Sequence, residues 1–109
     1  MKNEVFVLSK SERKDKKWKV VVYKEGKKIK TINFGASGLN DYILYSKEEK
    51  KLANKKKSEY IARHSKLNED WTDPYTPGFW SRFLLWEEPT LKRAVQKIRK
   101  AFGINLKVS

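Results

Sequence analysis

The chain has 109 residues, no cysteine and a formal net charge of +13, from 26 Lys and Arg against 13 Asp and Glu. This excludes a disulfide framework, a thiolate metal site and a cysteine nucleophile, and it sets the expectation of a single domain, residues 1–109, with a core of thin margin. A charge so far from zero draws polyanions: nucleic acid, an anionic membrane surface or an acidic protein face.

The N-terminal residues do not read as a secretory signal, because the apolar run Val5 to Leu8 is too short. No stretch approaches the length of a membrane-spanning helix. The expectation is a whole chain made and kept in the cytosol, or assembled from it. Glu4 to Leu8 reads as a short strand. Ser9 to Lys17, rich in lysine, reads as a solvated loop. Lys17 to Phe34 reads as a hairpin: Trp18, Val20 and Val22 share one face, Lys19, Val21 and Tyr23 the other, and Glu25-Gly26 makes the turn.

Gly35-Ala36-Ser37-Gly38 breaks the strand pattern. Its glycines suit a tight backbone path better than a phosphate cradle, because neither a P-loop nor a G-x-G-x-x-G spacing is present. Ser46-Lys47-Glu48-Glu49 has the form of a capping box and predicts a helix from Lys47 to about Leu67. Its apolar stripe is thin (Leu52, Ala53, Tyr60, Ile61, His64, Leu67), and lysines load the rest. A loop punctuated by Pro74, Pro77 and Gly78 follows. Phe79 to Trp86 suits a short helix that is apolar nearly all round and ends before Pro89. Thr90 caps the next helix, Leu91 to Phe102, whose Leu91, Ala94, Val95, Ile98, Ala101 and Phe102 face inward. Gly103 stops it, and Ile104 to Val108 alternates as an edge strand. The fold class is α+β: a small antiparallel sheet, the N-terminal hairpin plus short strands, packed by about three helices.

Catalytic chemistry finds few candidates. The single histidine, His64, sits on the inward side of a helix beside Arg63. A satisfied structural histidine is the plainer reading than a general base. Asp41 with Glu48-Glu49-Lys50 loosely imitates the acidic pair and lysine of a metal-dependent nuclease, but helix-start signals account for the two glutamates. No cofactor and no metal site is expected. The basic helices are the stronger signal. Lys55, Lys56, Lys57 and Arg63 on one, with Lys92, Arg93, Lys97, Arg99 and Lys100 on the other, are candidates to neutralise the phosphates of DNA or RNA without reading bases. Arg63 and Arg82 lie among apolar residues, so each is expected to find a carboxylate or carbonyl, with Asp41, Glu69 or Asp70 as partners.

Several blocks carry a family resemblance: Phe34-Gly35-Ala36-Ser37-Gly38 with Asp41-Tyr42, then Tyr60-Ile61-Ala62-Arg63-His64 with Glu69 and Trp71. Gly78-Phe79-Trp80-Ser81-Arg82, Leu84-Leu85-Trp86 and Pro89-Thr90-Leu91 complete them. In these blocks the chain resembles a family of small, largely uncharacterised proteins encoded by large DNA viruses and some phages. Phe83 stands where those relatives tend to have tryptophan, and Ile43 where threonine is common. The resemblance implies a viral source and an accessory or virion component, with no catalytic residue to carry over.

The leading expectation is therefore a non-enzymatic virion protein, a minor capsid or internal component. Its partners would be capsid or other virion proteins, and it would sit in the host cytoplasm or nucleus during assembly. The alternative is a protein that coats or condenses viral nucleic acid without sequence preference, and a nuclease-like enzyme using Asp41, Arg63 and His64 comes third. Phe79, Leu84 and Leu85 with one or both of Trp80 and Trp86 are expected in the core. A helix apolar all round leaves one side over, so Trp80, Phe83 and Trp86 are the candidate protein-contact residues.

Overall fold

The structure, a computed structural model, describes residues 3–67 and 70–109. Four strands form one sheet in the order β3-β2-β1-β4: β1 is Glu4–Lys10, β2 Lys16–Lys24, β3 Lys27–Ala36 and β4 Leu106–Val108. β1 and β2 pair antiparallel with Phe6 opposite Val22 and Leu8 opposite Val20. β2 and β3 pair antiparallel with Val20 opposite Ile32 and Trp18 opposite Phe34. Their turn is tight because Glu25 and Gly26 both take positive φ, 52° and 79°, which matches the right-handed strand twist.

β4 pairs parallel to β1, with Phe6 opposite Leu106. The sheet is thus mixed, where an antiparallel sheet was expected. The helices lie between the hairpin and the final strand, and such a crossover returns the chain in the same direction as its neighbour. The expected edge strand is present, but it is confined to Leu106–Val108 and runs parallel to its neighbour.

Four helices follow the sheet: α1, Tyr42–Glu48; α2, Lys50–Ser65; α3, Pro77–Trp80, which runs on as a π-helical turn, Ser81–Leu85; and α4, Leu91–Phe102. The expected capping box at Ser46 is not used. Asp41 caps α1, its side chain accepting from the Leu44 amide at 3.0 Å. Ser46 lies inside α1, and its Oγ is buried without a partner among the described residues. Glu49 separates α1 from α2 in extended backbone and makes no side-chain cap. α2 buries only Ala53 and Tyr60, and Leu67 is exposed. α4 follows the sequence reading closely. Thr90 accepts from the Arg93 amide, Gly103 closes the helix at φ 63°, and Ala94, Val95 and Ile98 are buried. Ala101, expected to face inward, is exposed.

The core lies between one face of the sheet and the segment Phe79–Leu85. Phe6, Leu8, Val20, Val22 and Phe34 meet Phe79, Trp80 and Leu84 there. Trp80 is completely buried between Phe6 and Phe34, and its Nε1 donates to the Pro74 carbonyl at 2.7 Å, the satisfaction a buried indole requires. At the sheet margin the Tyr75 hydroxyl donates to the buried Glu4 carboxylate. Burial first, then that hydrogen bond and the Glu4 charge, push the Tyr75 phenol up to about 12.

Trp80, a candidate contact residue, is therefore core. The side of the Trp-rich segment that seemed left over is covered from two directions. Phe102 of α4 packs on Phe79 and Phe83, at ring separations of 5.0 and 4.9 Å. Tyr60 of α2 stacks on Trp86 at 4.5 Å, with Tyr45 of α1 beside it. One helix cannot bury all its sides against a sheet, but this one is surrounded by sheet and helices together, leaving Phe83 and Trp86 half-buried.

Candidate functional site

A cleft of about 520 Å³ opens where the end of β3, the α1–α2 pair and the Trp-rich segment meet. Each wall comes from a local feature of the chain. β2 contributes Lys16 and Lys17, and the β3 end contributes Phe34, Gly35 and Ala36. Gly35 has φ 76°, and a Cβ there would lie 2.8 Å from Leu85 Cδ1. The glycine thus lets β3 close onto the π-helical turn, a structural reason rather than a phosphate cradle. Asp41, Tyr45, Lys56, Tyr60, Arg63 and His64 come from the helix pair, and Ser81, Leu85 and Trp86 from the opposite wall.

The charges are one-sided. Lys16, Lys17, Lys56 and Arg63 line the cleft, and among the described residues Asp41 is its one lining carboxylate. Asp41 is buried and already engaged: Lys17 Nζ donates to it at 2.7 Å while it caps α1. Lys56 approaches Glu59 only at 4.0 Å on an exposed surface, a contact of little strength. Arg63 is exposed and makes no ion pair among the described residues. The aromatic wall is a stack: Trp86 lies on Tyr60 with their planes 5° apart, and Tyr60 lies on His64 at 4.1 Å.

Asp41, Arg63 and His64, named together for a nuclease-like site, do reach this one cleft. Asp41 is bound to its lysine and helix end, and among the described residues no group of three His, Cys, Asp or Glu could hold a metal ion. The resemblance blocks also converge here, from Phe34 to Trp86. Lys16, Lys17 and Tyr45 were not foreseen, because nothing local to β2 or α1 announces a cleft closed by residues far along the chain.

The candidate cations on the helices divide into two sets. Lys57, Arg93, Lys97 and Arg99 have internal duties. Lys57 donates to the Glu87 carbonyl at 2.8 Å and lies over the Tyr42 ring. Lys97 donates to Glu87 Oε2 at 2.6 Å, Arg93 pairs with Glu88, and Arg99 Nε donates to the Leu106 carbonyl at 2.8 Å. Lys55, Lys92 and Lys100 are exposed without an ion pair among the described residues. Arg82 is paired as expected, but with Glu87, and its guanidinium also lies over Trp71 and Phe83. Asp70 instead accepts from Thr72, and Glu69 lies outside the described residues.

Residues 6–64 match the model of a family described as Family of unknown function (DUF5754). The chain belongs to that family. The DUF5754 match takes in the three-stranded meander and both α1 and α2, hence the Lys17–Asp41 pair and the Tyr60-to-His64 wall, and stops before the Trp-rich segment that closes the cleft. No curated protein and no solved structure matches the chain.

Proposed function

We propose that this DUF5754 protein binds nucleic acid through its phosphates, without reading base sequence. The observation that carries the reading is the excess of unpaired cations. Several of the acids are consumed in pairs: Asp41 with Lys17, Glu12 with Lys19, Asp15 with Arg13, and Glu87 and Glu88 with α4 and its neighbours. Exposed lysines remain on the hairpin end (Lys24, Lys27, Lys28, Lys30), on α2 (Lys50, Lys51, Lys55) and on α4 (Lys92, Lys100). None of these makes an ion pair among the described residues. Lys50 and Lys51 occupy the first turn of α2, where the helix dipole favours acids. Their placement concentrates positive potential at a helix end, which suits an anionic partner better than it suits the helix.

The resemblance to virus-encoded proteins supports a viral genome as that nucleic acid. It also supports the rival reading, a virion component held by protein contacts. That rival rests on the resemblance; of its three candidate contact residues, Trp80 is buried and Phe83 and Trp86 are half-buried, which gives it less support than the cations give the nucleic-acid reading. Gel-shift titrations of a random-sequence oligonucleotide at 50 and 200 mM NaCl test the proposal. Binding at 50 mM that weakens by an order of magnitude or more at 200 mM, equally for unrelated sequences, is the expected result. No shift at 50 mM salt would overturn it.

A further inference from the structure

We propose that the basic cleft is a binding site for one unpaired nucleotide of a nucleic-acid strand, its phosphate held by Lys16, Lys56 and Arg63 and its base lodged against the rings of Tyr45 and Trp86. This rests on the nucleic-acid reading and narrows it to single-stranded substrate. Three observations meet in the cleft. Its volume, about 520 Å³, lies within the range of sites that enclose a small ligand. Among the described residues its cations outnumber its acid, and that acid already pairs with Lys17, so an incoming anion meets an excess of positive charge from those residues. Its inner wall is aromatic, with half-buried Tyr45 and Trp86 in front of Tyr60.

A free anion would use the cations and leave the aromatic wall idle. An apolar ligand would do the reverse. A nucleotide joins a planar base to a phosphate and uses both, as in sites that stack unpaired bases beside a charged groove. A base pair inside a duplex cannot enter without being unstacked and flipped out. Single strands should therefore win over duplexes at equal phosphate concentration.

The test is titration with AMP, adenosine and inorganic phosphate, followed by tryptophan fluorescence and calorimetry, on wild type and single variants. AMP should bind more tightly than either fragment alone. Arg63→Ala should weaken AMP roughly tenfold, the effect of losing one charge-assisted hydrogen bond. Lys107→Ala, which removes one charge at β4, the opposite edge of the sheet from β3, should leave AMP binding unchanged. Trp86→Phe should remove most of the fluorescence change, with circular dichroism confirming the fold. Phosphate binding as tightly as AMP, or Arg63→Ala and Lys107→Ala behaving alike, would overturn the proposal. Polynucleotide binding without AMP binding would refute the cleft and spare the broader reading. AMP binding in the cleft with no polynucleotide binding would overturn both, leaving a site for a free mononucleotide.

Discussion

Gly35, near the end of β3, and Gly38, in the turn just beyond it, separate two uses of the same residue. Both take positive φ, 76° and 83°. At Gly38 an added methyl would meet open space, whereas at Gly35 it would lie 2.8 Å from Leu85 Cδ1 and 3.4 Å from Lys17 Cβ. Leu85 is buried in the core cluster, so shifting its methyl disturbs the packing around it. Gly38→Ala therefore costs only the left-handed conformation, about 1–2 kcal/mol. Gly35→Ala adds overpacking and should cost roughly 2–4 kcal/mol. Urea denaturation distinguishes them, as a larger fall in midpoint for Gly35→Ala at an unchanged slope. Equal losses would mean that the close approach of β3 to the π-helical turn contributes nothing.

At the scale of elements, Glu87 ties three of them together. Arg82 from the π-helical turn and Lys97 from α4 pair with its carboxylate, and Lys57 from α2 reaches its carbonyl and lies 3.8 Å from Oε1. Burial raises the Glu87 carboxyl, but the hydrogen bonds from Lys97 and Arg82 and the charges of Arg82 and Lys57 outweigh it and hold it at about 2. A folded-state value below the ordinary 4.5 means that the stabilisation is complete above that value and is lost as pH falls toward 2. Glu87→Gln should thus lower stability at pH 7 by about 1–2 kcal/mol, allowing for the exposed Lys97 arm. Thermal melts should show that gap closing between pH 5 and pH 2, and a gap independent of pH would show that Glu87 acts through shape rather than charge. The same elements show what a sequence can disclose. α4 was readable because its cap at Thr90, its stop at Gly103 and its apolar period are all local. The start of α1 was not. Ser46 and Glu49 form a plausible local cap, but Asp41 takes the role because Lys17, on a distant strand, fixes its carboxylate. The Trp-rich segment was readable as core, yet which side remained open depended on Phe102 and Tyr60 arriving from other helices. The cleft is the extreme case: its blocks were visible, but their meeting point is a property of the fold.

For the molecule as a whole, the net charge of +13 acts in two opposite ways. Cations on the hairpin, α2 and α4 repel one another in the folded state more than in the expanded chain, so the fold is held together against its own field. Screening relieves that repulsion, and the Debye length shrinks from about 30 Å at 0.01 M salt to 10 Å at 0.1 M. The melting temperature of the free protein should therefore rise by several degrees, roughly 1 kcal/mol, between 20 and 200 mM NaCl. Bound polyanion relieves the same repulsion and adds its own linkage, so saturating single-stranded oligonucleotide should raise the melting temperature most at low salt. As salt increases, counterion release weakens binding while screening stabilises the free protein, and the two melting curves should converge. Scanning calorimetry across a salt series with and without oligonucleotide measures both trends at once. A melting temperature that does not respond to salt would mean that the lysines are already neutralised within the fold, and the argument that they await a polyanion would fail with it.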